Sequence, residues 1–274
     1  MEALFAIFPG RRKWPPAVDD VANAPLDAAA IRLVSAVQGI ERLPSYGNLK
    51  HLWCFNVNQV KLDTICGCES LESLYIENIK AETLDPLQRL PKLKVLGLES
   101  CSKIASLAAL GNLQSLWGLA IIHFKNVHDL APLSSLKTLR ALAVAGSMWT
   151  RMNVDTFAPL AALENLELLH LTNMKADDES LRALAELKRL KELDIANFYP
   201  MSEFAWLSQR LKATHCTWFQ PCVEMKNSVC KRCGKPPMVI LTGSRKPLMV
   251  CKRCGKEVLE QHMREWKELT RDLA

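Results

Sequence analysis

The feature that most constrains this chain is a short apolar pattern, LxxLxLxx, that returns seven times. It starts at Leu49, Leu71, Leu93, Leu116, Leu139, Leu166 and Leu190. The first and fourth positions of all seven units are Leu, fourteen in total, where 43 Leu among 274 residues would place about two by chance. The sixth position is Cys54, Ile76, Leu98, Ile121, Val144, Leu171 and Ile195, apolar every time. Successive side chains of a strand face opposite ways, so the paired apolar residues share one side and the residue between them points out. One unit cannot cover its own apolar side, so units must stack and share a continuous core. Between the strands the spacing changes to threes, as in Leu84, Leu87, Leu90 and Leu181, Leu184, Leu187. That spacing suits short helical or 3₁₀ turns returning over the opposite side.

Over roughly residues 28–220 this pattern resembles the leucine-rich-repeat family, in its short bacterial style. The resemblance implies an α/β solenoid, a horseshoe with a parallel sheet on its concave side. The family's ninth position is often an Asn that bonds the backbone of the turn. Here that position is Val57, Ile79, Cys101, Phe124, Ser147, Met174 and Phe198, and asparagine stands one place earlier, as Asn56, Asn78, Asn173 and Asn197. The turn geometry is therefore expected to depart from the family's. Degenerate strands are expected at both ends, at Ala28, Ile31, Leu33, Ala36 and at Leu211, Thr214, Cys216, Phe219, which gives nine strands.

The outward residue of each unit lines the concave face: Trp53, Tyr75, Gly97, Ala120, Ala143, His170 and Asp194. The next outward column holds Phe55, Glu77, Glu99, Ile122, Ala145, Thr172 and Ala196. Trp53, Phe55 and Tyr75, flanked by Glu77 and Glu99, form a candidate protein-binding patch, since exposed aromatics are enriched at interface anchors. The competing reading is packing, with Trp14 and Phe8 of the N-terminal segment covering Trp53. The 27-residue step between Leu139 and Leu166 adds residues around Met148, Trp149, Thr150 and Arg151. They are expected to bulge from one rim, where Trp149 either meets a partner or tucks back onto the core. His51, His123, His170 and His215 read as solvated face residues, and Cys66 and Cys68 as small buried groups.

The sharpest chemical motif is CKRCGK, at 230–235 and again at 251–256. Cys230, Cys233, Cys251 and Cys254 have the spacing of a tetrahedral, all-thiolate site for one structural Zn²⁺ with no open position for catalysis. Between them, PPMVILTGSRKPLMV reads as two strands around a Gly243–Ser244 turn. This part resembles the zinc-ribbon family. The VLEQHMREWKELTRDL that follows reads as an amphipathic helix with Leu259, Met263, Trp266 and Thr270 on one face. The chain then divides into an N-terminal cap (1–27), the solenoid (28–221), the ribbon (222–256) and the C-terminal helix (257–274). The helix or the ribbon is expected to close the open end of the last repeat.

The net charge of +6 is concentrated: nine Lys/Arg and no acidic residue lie between Lys226 and Lys256, leaving −3 (6 − 9) elsewhere. Lys231, Arg232, Arg245, Lys246, Lys252 and Arg253 thus form a candidate nucleic-acid surface. No run approaches the roughly 18 apolar residues of a membrane span. Two CxxC pairs favour a metal in a reducing compartment, so the cytoplasm is expected. No phosphate loop, nucleophile elbow or metalloprotease motif occurs. These readings predict a non-catalytic protein-binding scaffold with no small-molecule substrate, and the resemblance to short bacterial repeats suggests an immunity- or inhibitor-type partner. The alternative is a nucleic-acid-associated adaptor that binds through the ribbon.

Overall fold

The structure is a computed structural model, and it describes residues 14–243 and 248–271. The repeat units form the expected strands. β1 (Ala17–Asp20), β2 (Ala30–Gln38), β3 (His51–Val57), β4 (Ser73–Ile79), β5 (Val95–Cys101), β6 (Gly118–Phe124) and β7 (Ala141–Ala145) run parallel in chain order. β9 (Leu168–Leu171) and β11 (Glu192–Ile195) complete a nine-stranded sheet. Its register is set by the repeat. Ile31, Leu52, Leu74, Leu96, Leu119, Leu142, Leu169 and Leu193 are successive partners across the strands, and all are buried. A one-residue slip would turn this whole row toward solvent, which is why the register holds. Returning turns close the other side of a core that runs from Val21 to Trp266.

Nine strands were expected, but they are not the same nine. β1 is an additional leading strand, and the trailing segment makes only an isolated bridge, Glu192 with His215. The return after β11 is a helix, α2 (Met201–Arg210), packed on the preceding turn at Arg182–Glu186, and the strand that follows it is reduced to that bridge. The long unit carries its extra residues as β8 (Met152–Val154), which pairs with β10 (Met174–Ala176) in a second small sheet. The returns are 3₁₀ turns at Ile40–Ser45, Asp85–Arg89, Ala108–Asn112, Ala131–Ser135, Ala158–Ala162 and Arg182–Glu186, with one short α-helix, α1 (Gln59–Ile65). Their three-residue leucine spacing works through the i→i+3 bond: Leu87 N–H donates to the Leu84 carbonyl at 2.9 Å, and the bonded leucines face the core together.

Three of the four shifted asparagines, all but Asn197, have a backbone cause. Asn56 (φ 54°), Asn78 (φ 60°), Ser100 (φ 61°), His123 (φ 59°) and Asn173 (φ 47°) all occupy the eighth position and all are left-handed. Asparagine tolerates that region better than most residues, because its short polar side chain bonds locally. Asn78 donates to the Asn56 side chain, and Asn173 donates to the Ser147 carbonyl at 2.6 Å. The flip returns the ninth residue to the core, where Val57, Ile79, Cys101, Phe124 and Met174 are buried. Asn78→Val is therefore expected to cost about 1–2 kcal/mol in urea unfolding, because a β-branched residue resists φ > 0. Asn78→Gly, free at that φ, should cost clearly less; equal losses would mean the side-chain bond and not the backbone matters.

Along the rim that precedes the strands, Lys50 and Lys94 both pair with Glu72, at 3.2 and 2.6 Å. Hydrogen bonds from Lys94 and then Lys50 hold the Glu72 carboxyl down to about 2.

After α2 comes a three-stranded antiparallel sheet, β12 (Cys222–Met225), β13 (Met238–Leu241) and β14 (Met249–Cys251). β13 and β14 are the expected hairpin; β12 is an addition, and Ser244 of the expected turn lies outside the described residues. α3 (Lys256–Arg271) then packs on α2. Its inward face is Leu259, His262, Trp266 and Leu269, not the face through Met263, which is exposed. The 3-4-3 spacing follows the helical period around the buried Trp266.

Candidate functional site

Two sites emerge, one on each part of the molecule. On the concave sheet, Arg32, Trp53, Tyr75, Gly97, Ala120, Ala143, His170 and Asp194 are register partners in one outward column. Among the described residues, the buried side-chain nitrogens without a hydrogen-bond partner are Arg32 Nε, Trp53 Nε1 and both ring nitrogens of His170. All of them belong to this one column. A buried donor without a partner costs about 1–3 kcal/mol, so folding alone does not favour such a row.

The N-terminal end of the column is covered. Trp14 lies over Trp53, Phe55 and Tyr75, with ring centroids 5.7, 6.5 and 5.2 Å away. Trp53 is only 6 % exposed and Tyr75 is fully buried, so neither is presented to solvent as an exposed anchor would be. The physical reason is the second apolar cluster these rings build with Val95, Ala120, Ala141 and Ala143, on the face opposite the core. Tyr75 Oη donates to Glu99 at 2.5 Å. Phe55, Glu77 and Glu99 are half-buried, and Phe8 lies outside the described residues.

The middle of the face opens into a cleft of about 320 Å³, lined by Glu99, Ile122, His123, Ala145, Met148 and Thr172. Its rim is the inserted loop. Trp149 is 89 % exposed and Met148 70 %, so this tryptophan does not tuck back. The loop is nonetheless fixed: the Trp149 and Thr150 amides donate to Ser147 Oγ, and Ser147 N–H donates to the Thr150 carbonyl at 2.9 Å. Gly146 makes this possible, since a Cβ there would lie 2.4 Å from the Asn173 and Thr150 carbonyl oxygens.

His170 departs from the solvated reading. It is 4 % exposed, with Nδ1 3.4 Å from Asp194 and Nε2 3.8 Å from Glu192. Its register partners are Ala143 and Asp194, and no sequence signal distinguished it from the half-exposed His51 and His123 or the exposed His215. Cys66 and Cys68 are buried as expected, and burial pushes both thiols up to about 12.

The second site is the cysteine cluster. The sulfurs of Cys230, Cys233, Cys251 and Cys254 lie within 4.8 Å of one another and can hold a metal ion. Cys233 and Cys251 sulfurs are 3.7 Å apart, far beyond a disulfide. Each knuckle is closed by a Gly amide, Gly234 to the Cys230 carbonyl at 2.8 Å and Gly255 to the Cys251 carbonyl at 2.9 Å. The knuckles differ in backbone: Gly234 is left-handed at φ 68°, whereas Gly255 sits against Val250. Backbone amides of Cys254 and Arg253 draw the Cys251 thiol down to about 6, while hydrogen bonding with Cys233 pushes Cys254 up to about 12. Four crowded sulfurs cannot all carry charge without a cation among them.

The ribbon is tied to the last repeat. Buried Asn197 donates to the Leu241 carbonyl at 2.8 Å and accepts from Gly243 N–H at 2.7 Å. Trp218 donates to the Ile195 carbonyl at 2.8 Å, and His262 Nε2 lies 2.9 Å from the Pro221 carbonyl oxygen. Trp266 enters the solenoid core itself. The ribbon and α3 thus cover the open end. Lys231, Arg232, Lys252 and Arg253 are exposed, with Lys252 paired to Glu224; Arg245 and Lys246 lie outside the described residues.

Comparison with solved structures decides the fold. The chain superposes on the crystal structure of an internalin of Listeria monocytogenes with a TM-score of 0.51 and 20 % identity, over 66 % of this chain and 62 % of that one. The fold is that of the leucine-rich-repeat proteins. A leucine-rich-repeat protein of Leptospira interrogans matches with a TM-score of 0.36 and 18 % identity, over 68 % of this chain and 57 % of that chain. In sequence, 30 % identity over 153 residues links the leucine-rich-repeat chain to a Trypanosoma equiperdum protein whose name proposes a role in regulating adenylate cyclase. That match takes in 55 % of this chain but 24 % of the trypanosome protein. No protein-family model matches. No described helix is long and apolar enough to cross a membrane.

Proposed function

We propose that this leucine-rich-repeat solenoid is a non-catalytic scaffold that binds a protein partner along its concave face, against the Met148–Trp149 loop. The observation that carries this reading is the set of buried nitrogens without a hydrogen bond in a single concave column, Arg32 Nε and Trp53 Nε1 at one end and those of His170, beside the Asp194 and Glu192 carboxylates, at the other. A partner that supplies hydrogen-bonding groups there recovers what the free protein forgoes. The fixed loop adds a large aromatic anchor held ready for contact, which lowers the entropy cost of binding. The trypanosome relative's name is in keeping with a regulatory interaction. An inhibitor- or immunity-type partner in the cytoplasm is the narrower form of the reading.

The four cysteines in this reading hold one structural Zn²⁺. The 3.7 Å sulfur separation supports it, since four Zn–S bonds of about 2.3 Å in a tetrahedron put the sulfurs about 3.8 Å apart. With all four positions filled by protein, the ion serves folding and not chemistry. The basic residues of the ribbon support the nucleic-acid alternative less well, because the described ribbon offers no aromatic ring on which a base can stack.

Capture from cell extract, with and without nuclease, separates the two. A defined protein should stay bound after nuclease and be lost from Met148→Ala/Trp149→Ala, while Lys231→Glu/Arg232→Glu/Arg253→Glu retains it. Recovery that collapses with nuclease, or that ignores the loop variant and fails in the charge-reversed one, would move the binding surface to the ribbon.

A further inference from the structure

The covered aromatic patch at the N-terminal end of the concave face differs from the rest of that face. Trp14 reaches it from the chain that leads into β1, whose Ala17 is the register partner of Arg32. Arg32 is in turn the partner of Trp53. The Trp14 ring fills the space over Trp53 and Tyr75, and the Arg32 guanidinium carbon lies 5.6 Å from the Trp14 ring and 5.9 Å from that of Phe55. The apolar side of the patch is thus satisfied. Its polar side is not: Trp53 Nε1 and Arg32 Nε are both buried and neither finds an acceptor. Arg32 also has no ion pair among the described residues. An indole ring offers no acceptor, so Trp14 meets the Arg32 charge with its ring face alone and leaves two buried donors without an acceptor.

We propose that this patch is a peptide-binding subsite that Trp14 occupies in cis, and that its true ligand is a partner segment carrying an aromatic residue next to a carboxylate. The aromatic ring replaces Trp14 over Trp53 and Tyr75. The carboxylate reaches Trp53 Nε1 and Arg32, on the side of the patch away from Glu77 and Glu99. The inference rests on the concave face being a protein-binding surface and adds the chemistry of the partner at one place on it. Trp14 then acts as a built-in competitor. As part of the same chain it is present at a high effective concentration, so only a ligand that also satisfies the donors displaces it.

The test uses two capped peptides, Ser-Trp-Ser and Asp-Trp-Asp, titrated calorimetrically into the full chain and its Trp14→Ala variant. Trp14→Ala should bind both, and the acidic peptide about tenfold or more tightly, the effect of one charge-assisted hydrogen bond. The wild-type chain should bind each at least about tenfold more weakly, because Trp14 competes. Trp14→Ala/Arg32→Gln should keep the neutral peptide and lose the acidic preference. If Trp14→Ala does not fold, Trp14→Phe, with a smaller ring over the same patch, should show the same order of affinities with smaller differences. Equal affinity for the two peptides, or no gain on opening the patch in either variant, overturns the proposal. Such a failure leaves the scaffold reading intact if capture still depends on Met148 and Trp149, which lie on another part of the face.

Discussion

Cys251→Ser is expected to release the metal, unfold the ribbon and loosen the last repeats with it. The ribbon's own buried core is Val239, Leu241 and Val250, with Cys222 and Leu259 beside it. A core this small does not hold three short strands without a cross-link or metal, so binding energy at the four sulfurs is folding energy. The consequence reaches the solenoid because Asn197 bonds across the junction to Leu241 and Gly243, and Trp266 of α3 lies within the repeat core. Withdrawing a buried Trp alone costs about 3–5 kcal/mol. Thermal unfolding of the variant, or of wild type held in chelator, should therefore begin at least about 6 °C lower, at roughly 2 °C or more per kcal/mol for a chain of this size. Elemental analysis should find one metal per wild-type chain and none in the variant. Cys222→Ser, in β12 but outside the cluster, should keep both metal and stability. If Cys251→Ser loses metal yet melts with wild type, the ribbon is an appendage and does not cap the solenoid.

Leu119→Ala should be the most damaging single change within the repeats, at about 3–5 kcal/mol in urea unfolding. Leu119 is fully buried at the centre of the sheet, between its register partners Leu96 and Leu142. Truncation leaves a cavity that the neighbouring turns cannot fill, since each is fixed by its own leucines. The control is Ile122→Ala, three residues along the same strand on the outward column. Ile122 lines the cleft and is only partly buried, so its loss should cost about 1 kcal/mol or less. Comparable losses at the two positions would contradict the assignment of inward and outward columns.

The repeat made most of this fold legible. Fourteen leucines at fixed offsets carry register, strand direction and core side at once, because only one alignment of the units buries all of them. The four ribbon cysteines were equally legible, since the geometry of a thiolate site dictates their spacing. What was not legible depended on contacts between distant residues. The sequence offered Trp14 as a cover for Trp53 beside the binding reading, but nothing local chose between the two, and nothing local marks His170 as buried beside Ala143. The trailing segment kept the alternation of a strand at Leu211, Thr214 and Cys216, but only His215 pairs with the edge of β11. The face of α3 was misread by one position at Met263, because only Trp266 fixes the helix's rotation and its pocket is made by the solenoid. The exposed Trp149 was undecided in the sequence, since its orientation is set by Ser147 and by carbonyl groups packed around Gly146.

Hydrogen–deuterium exchange on the full chain, free and bound to its nuclease-resistant partner, tests the concave-face account most directly. Slowed exchange is predicted across the 146–151 loop and in the strands β6, β7 and β9 that flank the cleft, with residues 226–256 unchanged. Protection confined to the ribbon, with the loop and the sheet exchanging as in the free chain, would contradict it.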